Sequence, residues 1–160
     1  MANDYAQTML TRTPDDFRFT EAEAALLRLM GFVVFQTEGE RPYAFAGTSG
    51  APLTMSDLAL DHDPQSDICT TARAILANAF PTADPSSVAN PEFGFADLLQ
   101  HALRARDHTG FIQTVTSFSC DKGRVDAFGG SALHITADRF EYINTGEWLS
   151  LQAARAGDTT

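Results

Sequence analysis

A chain of 160 residues is long enough for one domain whose core holds without disulfides or metal, and its 44% apolar share, with 12 Phe, excludes a disordered polymer. The net charge of −10 excludes a protein that grips phosphates through clustered Lys and Arg, so direct nucleic-acid binding is not expected. The longest apolar runs, such as Phe32 to Phe35, fall far short of the roughly 20 residues that span a bilayer, and MANDYAQTML lacks a basic stretch followed by an apolar one. A cytoplasmic location without membrane contact is therefore expected.

In chain order, the first segment reads as a short helix around Asp4 to Leu10. Thr20 and Glu23 have capping-box spacing. A helix follows, carrying Ala24, Leu27 and Met30 at helical intervals, and Gly31 can take the left-handed conformation that ends it. Phe32 to Thr37 and Pro42 to Ala46 read as two strands of a hairpin turning at Glu38 to Arg41. Residues 47–52 are a loop.

Ile68, Ala72, Ile75, Leu76, Ala79 and Phe80 fall on one face of an amphipathic helix that stops at Pro81. Asp63 followed by Pro64 is expected to start it, the carboxylate accepting from first-turn amides and the proline losing no needed donor. Asp67 then lies near the positive end of the helix dipole. After a polar connection over 81–91, Phe95, Leu98, Leu99, Ala102 and Leu103 mark another helix, closing near Gly110. From Phe111 the period changes to that of strands. Residues 111–118, 124–128, 132–137 and 139–143 are expected to form a C-terminal meander, with a turn at Asp121 to Arg124. The fold class is α+β, two to four helices packed on an antiparallel sheet, in a single domain over 1–152 with a frayed tail over 153–160.

The charge is uneven. Residues 42–103 carry seven acids and only Arg73, which is −6 of the −10. Asp57, Asp61, Asp63 and Asp67 are the densest part, and no Lys or Arg lies between Arg41 and Arg73. The cations are 10 Arg against Lys122 alone, which reads as codon bias in a GC-rich genome.

Catalytic patterns are weak. Asp61, His62 and Asp63 invite a metal, but neighbouring side chains of an extended segment point to opposite sides, so the two carboxylates would need a third ligand from elsewhere. Asp97 and His101 share a helix face at a spacing of four, and both lie off its apolar stripe. His108 is about 10 Å further along, too far for one metal. Neither HExxH nor GxSxG is present, and Gly129-Gly130-Ser131 is not followed by Lys, so no phosphate loop is indicated. Cys69 and Cys120 lack paired spacing and are expected as free thiols, with Cys69 packed. Cys120 with His134 is the one thiol and base that a hairpin could bring together.

No cofactor and no metal are expected. The reading that follows is a non-enzymatic acidic interaction protein, with Asp57, Asp61, Asp63 and Asp67 contacting a basic protein partner. In its sharper form it is an inhibitor that mimics nucleic acid and occupies the phosphate-binding surface of a nucleic-acid-handling protein. The alternative is a small enzyme or ligand-binding domain with a pocket between helices and sheet, using Asp61, Asp63, Asp97, His101, His134 or Cys120.

Overall fold

The computed structural model describes residues 4–47, 50–80, 91–120 and 129–156. Its centre is a six-stranded antiparallel sheet built from β1 (Asp4–Arg12), β2 (Phe32–Phe35), β3 (Tyr43–Ala46), β6 (Phe111–Cys120), β7 (Gly129–Thr136) and β8 (Phe140–Asn144). A two-residue pair, β4 (Leu53–Thr54) with β5 (Glu92–Phe93), stands apart. The large sheet runs β2-β3-β1-β6-β7-β8. Five helices accompany it among the described residues: α1 (Glu21–Leu29), α2 (Met55–Asp61), α3 (Asp67–Ala79), α4 (Phe95–Arg104) and α5 (Thr145–Ala156). The α+β class and the terminal antiparallel strands agree with the sequence pattern.

One face of the sheet is covered. Side chains alternate across a strand, so Leu10, Phe32, Val34, Ala44, Ala46, Ile112 and Ile135 point one way, where Leu26, Leu27, Ile75, Leu98 and Leu103 of α1, α3 and α4 bury them. Among the described residues, no buried side-chain polar atom lacks a hydrogen-bond partner. Thr8 and Thr116 sit opposite each other and share a hydrogen bond of 2.9 Å between hydroxyls, both buried. Glu23, buried on α1, accepts from the Thr20 N–H at 2.8 Å, closing the expected capping box, and also pairs with Arg106 through both carboxylate oxygens, at 3.0 and 2.5 Å. Gly31 has φ 93°, the left-handed conformation expected where α1 ends.

Several sequence expectations need correction. The first segment is a strand, not a helix: β1 lies between β3 and β6 in the middle of the sheet, where its backbone hydrogen bonds have partners on both sides. Asp63 does not start α3. Its carboxylate accepts from the Gln65 N–H at 2.7 Å, a local turn, and Ser66 is the cap, accepting from the Cys69 N–H at 3.4 Å. The segment 55–61 is a helix of its own. At the C-terminus, Thr145–Ala156 forms α5, a helix that the sequence pattern did not indicate. The expected turn at Asp121 to Arg124 and strand at 124–128 lie outside the described residues, as do the connection over 81–90 and residues 157–160.

Candidate functional site

The acidic segment is built on three local devices. Thr54 caps α2: its hydroxyl and its N–H donate to Asp57 Oδ2 at 2.6 and 3.0 Å, and the Asp57 N–H donates back to the hydroxyl at 3.1 Å. These hydrogen bonds, the Thr54 hydroxyl first, hold the Asp57 carboxyl below the usual carboxylate range. Leu58, fully buried, anchors α2 to the core, so that Asp57 and Asp61, four residues apart, share a solvent-facing side. Asp63 is fixed by its turn, and Asp67 opens α3, where carboxylate charge suits the positive end of the helix.

All four carboxylates are exposed, and none is in an ion pair among the described residues. Arg73, the cation nearest in sequence, instead donates to the Pro64 carbonyl. The segment therefore presents four charges in eleven residues without a neutralising side chain. No group of three or more His, Cys, Asp or Glu able to hold a metal occurs among the described residues. His62 caps the end of α2 through its backbone, outside any such group.

The other candidates are held apart. Asp97 accepts from the Gly94 N–H at 2.8 Å at the start of α4, while His101, one turn on, contacts Asn78 of α3 at 2.8 Å between Nδ1 and Nδ2. Burial lowers the His101 pKa; the Glu23 carboxylate opposes this, and Arg106 and Arg104 add to it. His134 lies on β7 next to buried Ile135, hence on the opposite side of the sheet from the helix layer. Its ring meets Phe111 at 4.6 Å and Gln113 at 3.3 Å. The two histidines share no cleft. The proposed pairing of Cys120 with His134 also fails: the register sets His134 opposite Gln113, seven residues from Cys120 and roughly 23 Å along the strand. Cys69 is a buried free thiol.

One feature escaped sequence reasoning. On the outer side of the sheet α5 stands against β7 and β8, leaving a cleft of about 620 Å³ with Gln113, Val115 and His134 on its floor and Glu147 and Leu151 on the helix side. Thr145 fixes the start of this helix by donating to the Gly130 carbonyl and accepting from the Gly130 N–H, at 2.9 and 2.8 Å. The glycine is required there, since an added Cβ would meet the Thr116 carbonyl oxygen at 2.9 Å.

Comparison of the chain with known protein families, with curated proteins and with solved structures finds no match. Among the described residues, no helix is long and apolar enough to cross a membrane.

Proposed function

We propose that this chain is a non-enzymatic acidic interaction protein that engages a basic partner through Asp57, Asp61, Asp63 and Asp67. The observation that carries the reading is the exposure of four carboxylates on one short segment, with no cation paired to any of them among the described residues. Unpaired surface charge of one sign steers a partner of the opposite sign and sets its orientation, at little cost in desolvation. Helices α2 and α3 fix the spacing before the partner arrives, which lowers the entropy lost on binding. The sharper form is inhibition by mimicry: the carboxylates occupy positions that a nucleic-acid-handling protein reserves for phosphates.

The test separates charge from shape. In the variant Asp61→Asn/Asp63→Asn/Asp67→Asn, Asp57 and its capping box stay intact, and the side-chain oxygen at 63 still accepts from Gln65. Retention of a basic protein by the wild type at about 50 mM salt, its loss at about 500 mM, and its loss with the variant at either salt are the expected results. Equal retention by variant and wild type would remove the acidic segment from the mechanism.

A second reading, a small-ligand domain, rests on the cleft under α5, whose volume is within the ordinary range for ligand sites. A thermal-shift screen in which a compound stabilises the wild type but not His134→Ala would favour it over the acidic reading.

A further inference from the structure

The outer side of the sheet is apolar along a line that crosses every strand. The register aligns Val33, Phe45, Met9, Val115, Ala132 and Ile143 in one row from β2 to β8. Phe35 and Tyr43 form the next row at the β2 edge, and Phe35, Tyr43 and Phe45 lie with ring centroids 6.0 to 6.4 Å apart. Met9, Val33, Phe35, Tyr43, Phe45 and Val115 are each 38–56% exposed. An antiparallel sheet with one solvated face ordinarily puts polar side chains there. Here Val33 and Phe35 of β2, Tyr43 and Phe45 of β3 and Met9 of β1 break that rule, while Gln7, Thr11 and Arg12 of β1 follow it.

Three further observations bear on what would cover it. The sheet divides evenly at the β1 and β6 boundary, and α5 lies over the β7 and β8 half only, so each molecule has one helix-covered half and one bare half on the same face. The sides of α5 not used in its own cleft carry Trp148 and Leu149, 50% and 56% exposed. Finally, two chains of charge −10 repel each other, and this row contains no charged residue. The charges of the face lie at Arg12 of β1, whose guanidinium stands 4.8 Å over the Phe111 ring, and toward its β8 end, in the Arg139 and Glu141 pair and in Glu147. The aspartates of 57–67 belong to the helix layer on the other side.

We propose that the outer sheet face binds a second copy of this chain about a two-fold axis parallel to the strands at the β1 and β6 boundary, so that α5 of each copy covers the bare β2 and β3 half of the other. Such a rotation sets β8 of one copy over β2 of its partner, which makes the surface self-complementary as a two-fold interface must be. Six strands about 4.8 Å apart span about 24 Å, and the central strands are about 30 Å long. With shorter edge strands and the exposed side of α5 included, the face offers roughly 800 Å² per copy, the size of a standard stable interface. The inference goes beyond the acidic reading and does not depend on it, since the aspartates remain outside the contact.

The full chain contains one tryptophan, Trp148, which the dimer buries. Sedimentation of the wild type at about 100 µM is expected to give twice the 17.3 kDa chain mass. On dilution to monomer the Trp148 emission should shift to longer wavelength. Phe45→Glu should sediment as a monomer with unchanged far-ultraviolet circular dichroism and red-shifted emission at every concentration, whereas Leu60→Glu, which alters an exposed leucine on α2, should stay dimeric. A wild type that remains monomeric, whether its face is bare or takes up a different protein or a lipid, would overturn the proposal. So would a folded Phe45→Glu dimer, or a wild-type dimer whose Trp148 emission does not change on dilution. Should Phe45→Glu fail to fold, the wild-type mass and the dilution of Trp148 decide.

Discussion

The Glu23 carboxylate ties α1 to the segment after α4, since it closes the α1 cap and receives both terminal nitrogens of Arg106, whose guanidinium also lies 5.4 Å over the Phe17 ring. Removing one partner leaves a buried charge without compensation, and breaking such a pair is costly. Glu23→Ala is expected to lower unfolding free energy by about 3 kcal/mol, measured by urea denaturation; a loss below about 1 kcal/mol, the scale of an exposed pair, would show that the pair is solvated. His101 gives a pH signature of defined sign. Its pKa is lowered on folding, mainly by burial, so the unfolded chain binds the proton more readily. The stabilisation is complete above the ordinary value of 6.5 and declines as pH falls below it. Between about pH 7.5 and about pH 5, the Tm of the wild type should therefore drop more than that of His101→Gln. Parallel curves would contradict this assignment. Neither effect could be read from the chain, because Glu23 and Arg106 are 83 residues apart in sequence and the His101 environment is made by α3 and α1.

At the scale of elements, helices α1, α3 and α4 were legible because each shows an apolar stripe at helical spacing, and β2, β3 and the last strands because their alternation and turn residues are local. The start of α3 was misread, and that has a testable consequence. Asp63-Pro64 has the chemistry of a cap, but Ser66 also does, and the turn at Asp63 uses its carboxylate before the helix begins. Ser66→Ala should cost about 1 kcal/mol in chemical denaturation, and Asp63→Asn almost nothing; the reverse ranking would restore the earlier boundary. Strand β1 was hidden for a different reason. Thr8 faces the core, paired to Thr116, while Met9 faces outward among Phe45 and Val115, so polarity does not alternate with orientation and period two disappears. Helix α5 was missed because Trp148, Leu149 and Leu151 do not enter the core. Their exposure is the property on which the proposed two-fold contact rests.

The whole molecule is a layered plate: helices and the acidic segment on one side, an apolar sheet face with α5 on the other. The uneven charge in the sequence identified the first of these surfaces, because net charge is additive and needs no fold to count. The second depends on strand order and register, which place residues from 9 to 143 in one row, and no local pattern shows that. In the proposed account, apolar contact sets assembly and the carboxylates set attraction to a basic partner. Since charge attraction weakens with salt and apolar contact does not, raising salt should release the partner while leaving the chain's own association intact.

The most direct measurement is affinity capture from source-organism lysate with the wild type and Asp61→Asn/Asp63→Asn/Asp67→Asn in parallel, at about 50 mM and about 500 mM salt, followed by elution with duplex DNA. The proposed function predicts a basic nucleic-acid-handling protein that only the wild type retains, only at low salt, and that added duplex releases. Identical retention by the two chains, or a captured protein that salt and duplex both leave in place, would contradict it.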